Sequence, residues 1–162
     1  MNSKRLFAEL KTKAHEFSIY DLMNVRIYLE KEMKYLPKDY QEGYMKDTIE
    51  YFLDTLKEIK GKKEEEIENF EIEEEKLKNL LERIDRFSKG IPEEKSFMKL
   101  SKIVVPYLVF IAKKPLHALT TRFPGGLTIT KKNGEYYCPV KNRQTNEYSL
   151  CEFCICKDPK EI

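Results

Sequence analysis

Four cysteines fall within nineteen residues near one end of a 162-residue chain, at positions 138, 151, 154 and 156, in the order C-x12-C-x2-C-x-C. A two-residue gap lets both thiolates of one tight turn reach a single metal ion, and a third ligand carried in on a hairpin is common in small zinc modules. A tetrahedral ion needs a fourth ligand, for which Cys156 and His117 are the two candidates, and chain spacing leaves both open. Thiolate-rich ligation favours zinc; an iron–sulfur cluster is the alternative and would use all four cysteines. Metal binding outweighs three other uses of these residues. Disulfides are rare in cytosolic proteins outside hyperthermophiles. Simple burial seldom gathers four cysteines in one short segment. The redox spacing of Cys151-Glu152-Phe153-Cys154 lacks the βαβ context of a thioredoxin-like protein.

Two histidines are too few for a zinc hydrolase with three histidine ligands. His15 lies in a charged stretch and reads as surface. His117 stands six residues ahead of Phe123-Pro124-Gly125-Gly126, a turn whose backbone amides could hold an anion beside Arg122. His117 and Arg122 beside that turn, with an open metal site providing Lewis acidity, are the best case for a metalloenzyme. Against it, no Ser-His-Asp, Walker or Rossmann pattern occurs, and the glycines are sufficiently explained by the turn. The sequence favours a role other than catalysis and assigns no catalytic residue.

The elements that must position these residues are mostly helical. Leu6, Phe7 and Leu10 form one face of an opening helix. Ser18 and Asp21 have the spacing of a capping box, with Asp where Glu or Gln is usual. Leu22, Val25, Leu29, Met33 and Leu36 then recur at helical steps up to Pro37. Met45, Ile49, Phe52, Leu56 and Ile59 repeat the pattern up to Gly61, a candidate C-terminal cap. Leu77, Leu80, Leu81, Ile84 and Phe87 repeat it again before Gly90. The stretch from Phe97 to Ile111 is apolar nearly all round, which predicts a central helix that Pro106 kinks or divides. Between two stripes, residues 61–75 hold eight Glu against two Lys and read as a solvated face or linker anchored by Ile67, Phe70 and Ile72. Near the C-terminus, Asn133-Gly134 between two β-prone runs predicts a type I′ hairpin.

Composition bounds the alternatives. Thirty basic and 28 acidic side chains leave a net charge of +2, so there is no global nucleic-acid footprint. Collagen-like, mucin-like and disordered classes are excluded, no apolar run reaches the roughly 18 residues that span a bilayer, and the first residues lack a signal-peptide core. A cytoplasmic protein without a membrane contact is expected.

From His117 onward, Phe123-Pro124-Gly125-Gly126, Tyr136-Tyr137-Cys138-Pro139-Val140-Lys141, Gln144 and Leu150-Cys151-x-Phe153-Cys154 resemble the C-terminal signature of an uncharacterised archaeal family found chiefly in methanogens, the domain of unknown function 2115. The resemblance covers the last third specifically and the helical body in general character. It implies recurring positions at His117, Cys138, Cys151 and Cys154, raises His117 above Cys156 as fourth ligand, and implies an archaeal cytoplasmic setting. It supplies no reaction. Ala118 follows His117 where the family often has proline, which alters the local backbone restraint.

These readings give a mainly α protein, an antiparallel helical bundle over residues 1–112 with a Cys-rich β-hairpin and metal-binding knuckle over 113–162. The expected metal ligands are His117, Cys138, Cys151 and Cys154, with Cys156 as the alternative fourth, and the expected ion is zinc. The expected function is a metal-stabilised binding or accessory module for an unidentified protein partner. RNA binding is the alternative from a different class: residues 113–162 carry nine Lys and Arg against five acids, interleaved with Tyr136, Tyr137, Tyr148 and Phe153.

Overall fold

The computed structural model describes residues 1–35, 37–86, 90–123, 125–141 and 149–161, leaving aside the side chains of 39–42, 44, 45 and 161. The expectations for Leu36, Phe87, Pro124, Gln144, Tyr148 and the Met45 side chain lie outside the described residues. Five helices, α1 (Ser3–Glu16), α2 (Ile19–Met33), α3 (Lys38–Gly61), α4 (Glu74–Arg86) and α5 (Glu94–Pro106), precede a two-stranded antiparallel sheet of β1 (Thr130–Lys132) and β2 (Glu135–Tyr137). No helix among the described residues is long and apolar enough to cross a membrane.

Helix α5 is the centre, as expected from its apolar residues, although Lys95, Lys99 and Lys102 leave one face towards solvent. It packs against each of α1, α2, α3 and α4, and Leu100, Ile103, Val104 and Val105 are buried along it. The stripes read from the sequence supply the matching faces: Leu6, Phe7 and Leu10 from α1, Val25 and Leu29 from α2, Leu56 and Ile59 from α3, Leu77, Leu80 and Ile84 from α4. Pro106 divides the helix as expected. Proline has no N–H to continue the α-helical ladder, and from Tyr107 to Ala112 the chain runs on as a π-helix. Lys113 then turns left-handed, with φ 53°, and Lys114 donates its N–H to the Leu108 carbonyl at 2.9 Å. Buried Tyr107 donates its hydroxyl to Glu58, whose carboxylate also lies 3.4 Å from Lys114 Nζ. The exit from the central helix is thereby fixed from α3.

The capping box at α2 is present. The Ser18 hydroxyl accepts the Asp21 N–H at 3.2 Å and the Asp21 carboxylate accepts the Ser18 N–H at 2.9 Å. Asp21 also accepts from Ser96 at 3.0 Å and Lys99 at 2.9 Å, tying α2 to α5. Gly61 does not form the expected left-handed cap: α3 ends in extended backbone at Lys62, whose N–H bonds the Glu58 carbonyl at 3.0 Å.

The acidic segment is an ordered strap. Ile67 and Ile72 are buried in the core, with half-buried Phe70 packed against it. Its polar backbone is satisfied by the start of the chain. Ser3 Oγ donates to the Glu68 carbonyl at 2.6 Å and accepts the Phe70 N–H at 3.0 Å, while the Ser3 N–H reaches the Phe70 carbonyl at 2.8 Å. The glutamates face solvent, as the sequence reading expected.

Two outcomes follow from these contacts. Ser3→Ala leaves two part-buried partners unmatched, and urea unfolding should show a loss of about 1 kcal/mol; an unchanged midpoint would show that the strap holds without it. Burial alone would raise the Asp21 carboxyl, but the Ser18 N–H, the Lys99 ammonium and the Ser96 hydroxyl outweigh it and hold the pKa at about 2, from 3.8. The stability Asp21 contributes is therefore complete above 3.8 and is lost as pH falls towards 2. Asp21→Asn should flatten the acid limb of stability against pH over that window.

Candidate functional site

The hairpin delivers the first cysteine. Asn133 (φ 53°) and Gly134 (φ 79°) both occupy the positive-φ region that a type I′ turn demands, and the register pairs Thr130 with Tyr137, Lys131 with Tyr136 and Lys132 with Glu135. Cys138 follows directly and opens a turn closed by the Lys141 N–H on its own carbonyl at 3.1 Å. A second turn is closed by the Cys154 N–H on the Cys151 carbonyl at 3.2 Å. The chain then returns beside β2 in parallel: the Lys157 N–H bonds the Tyr136 carbonyl at 2.8 Å and the Cys138 N–H bonds the Lys157 carbonyl at 3.0 Å. This pairing brings Cys138 and Cys156 into one small core with Ile129, with Cys154, Phe123, Tyr136 and Val140 packed around it.

The helical body grips this module through both packing and polar contacts. Phe153 is buried within the main core, not the small one. Arg83 of α4 donates to the Ser149 carbonyl at 2.8 Å, pairs with Glu152 and lies 5.3 Å from the centre of the Phe153 ring. Tyr51 of α3 donates its hydroxyl to the Pro115 carbonyl. Lys141 joins the two turns to each other, its ammonium donating to the carbonyls of Cys151 and Cys154, the latter at 3.0 Å.

All four cysteines are free, and three have displaced thiol pKa values. The Cys156 thiol hydrogen-bonds Cys154 and lowers its pKa; burial opposes this, and the N–H groups of Cys156 and Leu116 with the charge of Lys141 reinforce it. Cys156 is raised, because its proton is held by Cys154 and because it is buried. Burial also raises Cys138, assisted by the charges of Cys154 and Cys151 and opposed by the N–H groups of Val140 and Lys141. Burial raises Tyr51 as well, and the charges of Cys154, Tyr136 and Cys156 add to the effect.

Of the residues expected as ligands, Cys138, Cys151 and Cys154 share this neighbourhood, and Cys156, the alternative, is the one hydrogen-bonded to Cys154. His117 adjoins it differently. Its ring meets Phe123 edge-on, with centroids 5.5 Å apart, while its neighbour Leu116 is buried in the main core. Among the described residues no group of three or more His, Cys, Asp or Glu is already arranged to hold a metal ion. Arg122 is exposed, as is His15. The aromatic residues of the RNA reading are mostly packed away: Tyr137 and Phe153 are buried, and Tyr136 is half-buried with Lys131 5.3 Å from its ring centre. Sequence reasoning gave no role to Lys141 or Arg83. The first was legible as the position two residues beyond Cys138-Pro139 that mirrors Cys154; no local pattern marks the second.

Fold and site together define a class: a mainly helical protein with a small two-stranded sheet and four free cysteines in the segment that follows it. The chain belongs to the archaeal family described as "Uncharacterized protein conserved in archaea (DUF2115)", matched over residues 2–159. A "UPF0305 protein" of Methanococcus maripaludis strain C7 is 55% identical over the full length of both chains. One from Methanocaldococcus jannaschii is 51% identical, covering 100% of this chain and 99% of its own. Another, from Methanothermobacter thermautotrophicus, is 33% identical over 96% of this chain and 95% of its own. No solved structure matches.

Burial lowers the His117 pKa below 6.5. In metal-free protein its contribution to stability should be complete above 6.5 and fall as pH drops below that value, where the unfolded chain takes up the proton first. Urea titrations of the native chain and His117→Gln measure this; parallel pH profiles would show that the ring is solvated.

Proposed function

We propose that this protein is a metal-stabilised binding or accessory module, in which Cys138, Cys151 and Cys154 seat one zinc ion with Cys156 or His117 as the fourth ligand. The observation that carries the reading is the gathering of Cys138 and Cys156 in one small core with Cys154 packed against it, Cys151 and Cys154 standing at the two ends of one closed turn. Nearby N–H groups oppose burial at Cys138 and Cys154 and so favour thiolates, the form that binds metal. Buried thiolates gathered at one place repel one another, and a divalent cation is the direct remedy. The thiols close on the ion by side-chain rotation, since the two turns that bear them are already formed.

A structural role follows from the chemistry of a full ligand set. Four protein ligands leave no position for substrate or water. A hairpin of three-residue strands has little apolar surface with which to order itself, so the free energy of ion binding becomes folding free energy for the module. The ordered surface then serves a protein partner.

Protein purified anaerobically without a metal-binding tag should contain one equivalent of zinc and show no visible absorption. Cys138→Ser and Cys154→Ser should lose most of that zinc while the helical content stays. A broad visible absorption with iron would replace zinc by an iron–sulfur cluster, and protein without metal or metal affinity would end the reading. Cys156→Ser separates the two fourth ligands: retained zinc selects His117, lost zinc selects Cys156.

A further inference from the structure

The two cysteine turns are not equivalent. Cys151 to Cys154 closes with an N–H to carbonyl bond of 3.2 Å and has thiols at both ends. Cys138 to Lys141 closes in the same way at 3.1 Å, but a lysine stands where the second thiol would be. That lysine does not point away. Its ammonium crosses to the other turn and donates to the carbonyls of Cys151 and Cys154, the latter at 3.0 Å, while its peptide N–H holds the Cys138 carbonyl. One residue therefore touches the backbone of three cysteines on both turns.

The charge matters as much as the reach. A divalent ion held by four thiolates carries a net double negative charge, and one held by three thiolates and a neutral imidazole a single one. Moving either into a site walled by Phe123, Tyr136 and Ile129 is costly unless a cation lies close. Lys141 is part-buried beside the thiols, whereas Lys131 lies over Tyr136 on the hairpin and Arg83 is engaged with Glu152.

We infer that Lys141 is the positioning residue and counter-charge of the thiol site: it sets the separation of the two turns and offsets one negative charge of the ion-bound cluster. This rests on the reading of the cluster as a metal seat. Outer-shell partners of metal ligands commonly govern affinity by about 10- to 100-fold.

The test uses the full chain and zinc itself. Zinc affinity is measured by competition with a chromophoric chelator for the native chain, Lys141→Arg, Lys141→Gln and Lys141→Met, with circular dichroism reporting helix content. Cobalt substitution gives the thiolate-to-metal absorption as a second signature. Lys141→Arg should bind within a few-fold of the native chain, whereas Lys141→Gln, which keeps donors but not charge, should weaken binding by about 10- to 100-fold. Lys141→Met should be weaker still, with an altered cobalt spectrum; if it fails to fold, the Arg and Gln pair decides. Native-like affinity in Lys141→Gln would overturn the role of Lys141 while leaving the metal seat intact. A native chain that binds neither zinc nor cobalt would overturn the metal seat, and this inference with it.

Discussion

The structure depends on one apolar segment that cannot stand in water. Helix α5 is buried along most of its surface, with its Lys95, Lys99 and Lys102 face reaching solvent, so the other four helices must pack round it, and its course fixes where the chain emerges. Pro106 interrupts the α-helical ladder, the backbone widens into a π-helix, and left-handed Lys113 ends it. A left-handed turn at a residue with a Cβ costs about 1–2 kcal/mol, and it is held by contacts on either side. Lys114 bonds the Leu108 carbonyl, and Lys113 Nζ lies 4.5 Å from the centre of the Phe70 ring. The exit sends Leu116 into the core, against which Cys154 also packs. The way the central helix ends thus sets where the chain that carries the thiols leaves the body.

A second theme is the opposition between burial and charge at the cysteines. Burial favours neutral thiols and acts on Cys138, Cys154 and Cys156 alike, while peptide N–H groups and Lys141 favour thiolates. The outcome differs by position because the donors do. Cys154 receives several and is lowered; Cys156 keeps its proton, which it shares with Cys154, and is raised. A cluster of this kind is poised to exchange protons for a cation, since a metal ion satisfies the thiolates that the donors have already favoured.

Much of this was visible in one dimension. The capping box at Ser18, the stripes of α1 to α4, the central placement of α5, the break at Pro106 and the hairpin at Asn133-Gly134 were all legible, because each depends on neighbours within a few residues. Gly61 misled, since glycine permits a left-handed cap without requiring it. The acidic segment misled in part: its glutamates are solvated as composition implies, yet Ser3, some sixty-five residues away in sequence, supplies the hydrogen bonds that order its backbone. Tyr137 and Phe153, plausible stacking platforms by type, proved to be packing residues once their surroundings existed.

The sequence by itself determined which residues could do chemistry here, because a thiol's affinity for soft metals and the reach of a C-x2-C turn are local properties. It also determined that the body is helical, because apolar periodicity is local. Only the tertiary structure decided how the ligands relate: Cys156 reaches the cluster through the parallel pairing of Lys157 with β2, Lys141 bridges two turns ten residues apart, and Arg83 holds the module from α4. Those relations are set by long-range packing and by the need to satisfy each buried polar group, and no spacing along the chain encodes them.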